Sequence, residues 1–155
     1  MPTKSLENSN SRLLLSEILR KVSNAKTKAE KIALLQKHNS AALRQILIIN
    51  FDDSVVSVMP EGDVPYTPNE APVGTDHSRL EHEYRGLYRF FKGGDNRLKN
   101  LKREQMFVQL LEGLSAEEAE LIVLVKDGKM NTKYKRITKA VVSEAFPQIE
   151  WGGRS

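Results

Sequence analysis

LLSEILRKVSNAKTKAEKIALLQKHN, residues 14–39, contains two helical patterns separated by a short turn. Apolar residues recur every three or four positions, which predicts a first helix from Ser11 to near Ser23. The pair Thr27 and Glu30 forms a capping box, in which the hydroxyl and the carboxylate accept from free backbone amides at a helix start. The chain is therefore expected to begin as two consecutive helices, the second ending near His38.

Comparable patterns continue along the chain. Ser40 is a candidate cap for a third helix, and Ser78 and Ser115 each begin another capping box. Residues 52–75 contain four prolines, which exclude a long helix there. A last helix is expected from about Thr132 to Ala145. These patterns predict an all-α fold, a compact bundle of about seven short helices in two halves separated by a long acidic loop.

The second half is expected to bury an aromatic-rich face. Helical spacing places five residues of one predicted helix and four of the next on the inner side. These nine residues are Leu80, Tyr84, Leu87, Tyr88, Phe91, Leu98, Leu101, Val108 and Leu111. We expect one helical domain over residues 11–147, with a disordered tail at 1–10 and a flexible tail at 148–155.

Composition restricts the class of protein. The chain has 155 residues and no cysteine, which excludes disulfides, thiolate metal sites and a cysteine nucleophile. No stretch approaches the roughly 20 apolar residues that span a bilayer. The sequence therefore predicts a cytoplasmic protein with no membrane partner.

Positive charge is concentrated outside the acidic loop. Residues 52–76 contain six acidic residues and no Lys or Arg, so the remainder carries 24 basic residues against 14 acidic ones. Two clusters supply most of this excess, and clustered cations attract the phosphates of nucleic acids. The candidate DNA-binding residues are Lys92, Arg97, Lys99, Lys102, Arg103, Lys129, Lys133, Lys135, Arg136 and Lys139. We expect the two clusters to form one positive surface that binds double-stranded DNA.

Motifs of known catalytic sites are missing from the sequence. It has no HExxH, GxSxG or phosphate-cradling glycine loop, and the nearest histidines, His77 and His82, are not four residues apart. We therefore predict no catalytic residues, no metal site and no cofactor. An enzyme is not expected.

Both ends of the chain resemble a known domain. Residues 14–39 and AELIVLVKDGKMNTKYKRITKAVVSEAFP, residues 119–147, resemble the start and the end of the amino-terminal helical DNA-binding domain of phage ATP-dependent DNA ligases. The chain also resembles short uncharacterised proteins of tailed myophages, in which this domain occurs alone. The ligase adenylation motif K-x-D-G is missing, because Lys126-Asp127-Gly128 lacks the intervening residue. The resemblance implies binding to the DNA backbone without ligation, as a phage accessory factor in replication, repair or transcription.

A protein-interaction module is the alternative. The acidic loop and the end of the chain, which contains Trp151, are candidate contacts for a phage or host replication or transcription protein, or for other virion components. A terminal tryptophan can anchor a partner or pack on its own domain, and the sequence leaves both possibilities open.

Overall fold

A computed structural model describes residues 13–70 and 77–154. Within these residues the protein is all-α, with isolated bridges and no sheet. The α-helices are α1 (Leu15–Asn24), α2 (Lys28–Lys37), α3 (Ala41–Phe51), α4 (Leu80–Glu83), α5 (Asn100–Gly113), α6 (Ala116–Lys126) and α7 (Lys139–Ala145). Two 3₁₀ segments are Tyr84–Phe90 and Met130–Thr132. The predicted all-α fold is confirmed, and the predicted tail at 1–10 lies outside the described residues.

Helix α6 lies at the centre of the bundle. Its residues Leu121, Ile122, Val123 and Val125 are all buried, so the helix is apolar on several sides, as a core helix must be. It packs against α1, α3 and α5. The helix therefore joins the two halves of the chain.

Three of the predicted helix caps are confirmed. The hydroxyls of Thr27, Ser40 and Ser115 accept from backbone amides three residues ahead, at 3.1, 3.0 and 3.3 Å. The cap predicted at Ser78 is wrong, because Arg79 occupies the cap position without a side-chain bond. The backbone amide of Ser78 instead donates to the carbonyl of Gly113 at 2.6 Å.

The aromatic face of the second half differs from the prediction. Residues 84–90 form a 3₁₀ helix, which repeats every three residues, and it therefore buries Leu87 and Phe90. Tyr88 is 49% exposed, and the first turn of α5 leaves Leu101 71% exposed. The predicted inward positions of Tyr88 and Leu101 are wrong.

The last helix is shorter than predicted. Helix α7 begins only at Lys139, after Thr138 accepts from the backbone amide of Val141 at 3.2 Å. The preceding residues form a turn in which Arg136 has a φ of 67°, a left-handed conformation that interrupts a helix. Tyr134 and Ile137 in this turn are nevertheless buried.

The described part of the acidic loop is held against the bundle. The ammonium group of Lys126, which is 5% exposed, donates to the carbonyls of Pro60 and Gly62 at 2.9 and 2.8 Å. Earlier in the loop, the backbones of Val56 and Val58 pair with the segment around Phe91 in a short extended arrangement. None of the described helices has the length and apolar character needed to cross a membrane.

Candidate nucleic-acid interface

The first basic cluster forms an exposed loop, which we call the basic loop. It consists of the side chains of Lys92, Arg97, Lys99 and Lys102, all exposed. Across the described ranges 13–70 and 77–154, none of the four is within ion-pair distance of a carboxylate. No ion pair within the described ranges therefore neutralises these four charges.

Arg103 holds the basic loop together from inside. Its side chain donates to the carbonyls of Arg89 and Asp95 and to the side-chain oxygen of Asn100, each at 2.8 Å. The residue is only 8% exposed. Arg103 was predicted as a DNA contact, but burial and internal hydrogen bonds leave it unable to reach a phosphate. We assign it a structural role.

A glycine allows the tight turn at the start of the basic loop. A Cβ atom at Gly94 would lie 1.8 Å from the carbonyl oxygen of Tyr88. Only glycine fits at that distance. Lys92 is fixed in the same turn, because its backbone amide donates to the carbonyl of Val56 at 2.7 Å.

The second cluster is divided by the fold. The ammonium group of Lys133 pairs with Glu120, and that of Lys129 lies 3.8 Å from Glu61 in the acidic loop. These two lysines therefore face acidic residues. The expectation that both clusters form one uninterrupted positive surface fails for this part of the chain.

The rest of the second cluster lies beside α1. We call Lys135 and Arg136 the basic turn, and both side chains are exposed. The carbonyl of Lys135 accepts from the hydroxyl of Ser23 in the last turn of α1, at 2.8 Å. Lys26, which is also exposed, lies in the connection between α1 and α2, shortly after Ser23 in the sequence.

A second basic residue, Lys31, also has a structural role. Its ammonium group is buried and donates to the carbonyls of Val22 and Ser23 at 3.2 and 3.3 Å, and also to Ala25. These carbonyls lie at the end of α1, where a cation is favourable. Lys31 therefore caps α1.

Trp151 packs on its own domain. Its indole nitrogen donates to the hydroxyl of Ser143 at 3.1 Å, and the ammonium group of Lys139 lies 5.0 Å from the ring centroid. The predicted role of Trp151 as a partner anchor is not favoured by this arrangement. Lys139 remains exposed but is oriented by the ring.

The final residues also contact the end of α3. The amide of Gly152 and the guanidinium of Arg154 donate to the Asp52 carboxylate at 2.9 and 2.8 Å. The segment predicted as a flexible tail, 148–155, therefore makes specific contacts with the bundle in its described residues. Ser155 lies outside the part of the chain that the structure describes.

Tyr134 is a core residue despite its basic neighbours. The side chain is 1% exposed, and burial raises the pKa of its hydroxyl to about 12. Because the ring is buried, a nucleobase cannot stack on it. In the described ranges no group of His, Asp and Glu side chains is arranged to hold a metal ion.

A protein-family model described as a family of unknown function, DUF6433, matches residues 18–132, which is more than half of the chain. No curated protein and no solved structure matches the chain.

Proposed function

We propose that this chain, which belongs to the DUF6433 family, binds the phosphate backbone of DNA without catalysing a reaction and with little sequence specificity. The observation that carries the proposal is the basic loop, whose cations are exposed and unpaired among the described residues. Such a cluster attracts a polyanion by long-range electrostatics and by release of its counterions. Contacts to phosphates position a protein on DNA but do not read the bases.

The basic turn provides a second candidate contact. The Ser23–Lys135 hydrogen bond joins the two stretches that resemble the DNA-binding domain of phage ligases, residues 14–39 and 119–147. Helices α2 and α7, which belong to the same two stretches, also pack together. The resemblance thus supports the proposal at a place where the chain brings exposed cations together. An accessory role in phage replication, repair or transcription follows from it.

Reversing two charges in the basic loop is expected to abolish most DNA binding. In the variant Lys99→Glu with Lys102→Glu, two phosphate contacts are lost and repulsion is added, so affinity for a random duplex should fall at least about tenfold. The unaltered protein is expected to make about four phosphate contacts. Raising the salt concentration from about 50 to 200 mM should therefore lower its affinity for DNA roughly a hundredfold. Both quantities can be measured by fluorescence anisotropy of a labelled duplex.

A matched variant separates this effect from net charge. Lys28→Glu with Lys129→Glu makes the same change in charge at exposed lysines that face Glu144 and Glu61. This control is expected to keep most of the affinity. The proposal is wrong if both double variants bind like the unaltered protein, or if salt has little effect on its affinity.

A further inference from the structure

A cavity of about 400 Å³ lies between the 3₁₀ segment 84–90 and α5, beside the basic loop. Phe90, Met106 and Leu110 contribute apolar surface to it. Its volume falls in the range of pockets that hold small organic ligands. The cavity is not part of the phosphate-binding surface described above.

The polar side chains of the cavity differ in hydrogen-bonding character. Glu83 only accepts and Arg89 only donates, whereas Ser78, His82 and Gln109 can do both. A purely apolar occupant would leave these groups desolvated and unpaired, which is unfavourable. A free anion would be attracted by Arg89 but opposed by the carboxylate of Glu83, so neither charge alone selects the occupant. The lining therefore suits a flat ring whose edge carries donors and acceptors side by side.

Arg89 connects this cavity to the basic loop. Its guanidinium lies 5.3 Å from the centroid of the half-exposed Tyr88 ring, and its backbone carbonyl accepts from Arg103. Arg89 therefore belongs both to the lining of the cavity and to the hydrogen-bond network that holds the basic loop. Nucleobases carry donors and acceptors on one edge and have apolar faces.

We infer that this cavity binds one unstacked nucleobase of the nucleic acid held by the basic loop. The inference deepens the proposed function and rests on it. A base inside an uninterrupted duplex cannot enter a pocket without being extruded from the stack. Single-stranded segments and frayed ends should therefore bind more tightly than a continuous duplex of the same length.

Free nucleosides test the cavity without the phosphates. In full-length protein labelled with ¹³C at the methionine methyl groups, Met106 reports on the cavity, and fully buried Met130 lies outside it. Titration with adenosine, guanosine, cytidine and thymidine should shift the Met106 signal saturably for at least one of them. The ring current of the base causes this shift, so ribose alone should leave the signal unchanged.

Two tryptophan variants on α5 provide the structural control. Gln109→Trp fills the cavity from an exposed position and should remove both the nucleoside shift and the preference for single strands, expected to be about tenfold. Gln105→Trp, one turn earlier and also exposed, should preserve both. The inference is overturned if no nucleoside moves the Met106 signal, if Met130 moves in parallel, or if the two variants behave alike.

The variant Lys99→Glu with Lys102→Glu distinguishes failure of the inference from failure of the proposed function. It should lose DNA binding but keep the nucleoside shift. DNA binding by the unaltered protein without a nucleoside shift would overturn the cavity assignment alone. A nucleoside shift in a protein that binds no DNA would overturn the proposed function and the link between the cavity and the basic loop, but it would leave the cavity as a nucleoside site.

Discussion

Replacing Glu118 with alanine is expected to lower the free energy of unfolding by about 3–5 kcal/mol. The side chain is fully buried, and its two carboxylate oxygens accept from the backbone amides of Leu15 and Leu80 at 2.9 and 3.0 Å. These are the first residues of α1 and α4. Alanine would leave both amides unpaired inside the protein and would create a cavity. Chemical denaturation followed by circular dichroism measures the loss.

A glutamine at the same position separates hydrogen bonding from volume. In Glu118→Gln the side-chain oxygen can still accept from one amide, but its NH₂ group would face the other amide as a second donor. The expected loss is about 1.5–3 kcal/mol. Glu117→Gln is the control, since Glu117 forms a half-exposed ion pair with Arg20 and should cost less than about 1 kcal/mol. Equal losses at the two positions would contradict the assigned role of Glu118.

The stability that Glu118 contributes should also depend on pH. Burial raises the pKa of Glu118 above its ordinary value, although the amides of Leu80 and Leu15 act in the opposite direction. The folded protein therefore holds this proton more tightly than the unfolded chain. The contribution is complete below the ordinary pKa and declines as pH rises through the raised folded value. The advantage of the unaltered protein over Glu118→Gln should thus be larger near about pH 4 than near about pH 7.

The predicted capping boxes show what local sequence can and cannot reveal. Ser115 and Glu118 match the pattern, and the hydroxyl of Ser115 caps α6 as expected. The carboxylate of Glu118, however, does not turn back to its own helix but binds the starts of two distant ones. Local spacing cannot predict this choice, because it depends on where α1 and α4 pack.

The candidate site shows the same limit. The sequence identified the exposed cations of the basic loop, but it also included Arg103, which is buried. One signal was present: Arg103, Phe107 and Leu111 follow one another at four-residue spacing and therefore share one helix face. Glu118, Ile122 and Lys126 also follow one another at four-residue spacing, and all three are buried. A basic residue in register with a buried face is a candidate for an internal hydrogen-bonding role.

The cavity could not be predicted from periodicity. It depends on the change from α-helix to 3₁₀ helix at Tyr84, which moves Phe90 inward and leaves Tyr88 half-exposed. An α-helical repeat assigns Tyr88 and Phe91 to the core instead. The 3₁₀ segment packs against α5, which follows it closely, and against α3, which lies far away in sequence. Local periodicity does not contain these tertiary contacts.

Asp52→Asn is expected to cost about 2 kcal/mol at neutral pH and to remove an acid-sensitive part of the stability. Asp52 is 3% exposed and follows the end of α3, where the helix dipole disfavours a negative charge. Burial also acts to raise its pKa. Hydrogen bonds from Gly152 and Ser54, together with the charge of Arg154, outweigh it and lower the pKa of Asp52 to about 2.

The sign of the pH effect follows from this lowered value. The folded protein releases the Asp52 proton more readily than the unfolded chain, whose value is near 3.8. The stabilisation is therefore complete above about pH 4 and is lost as pH falls towards about 2. Over that range, the unaltered protein should lose about 2 kcal/mol more stability than Asp52→Asn, as measured by denaturant titrations at each pH.

Two further variants identify the source of this acid sensitivity. Asp53→Asn removes a neighbouring charge that is exposed, and it should preserve the full pH dependence. Truncation after Glu150 removes the Gly152 and Arg154 donors but leaves both hydrogen bonds from Ser54 to Asp52. It should therefore abolish part of the acid sensitivity. If truncation has no effect on it, the final residues do not hold the Asp52 charge, and the carboxylate is stabilised at the end of α3 by Ser54 alone.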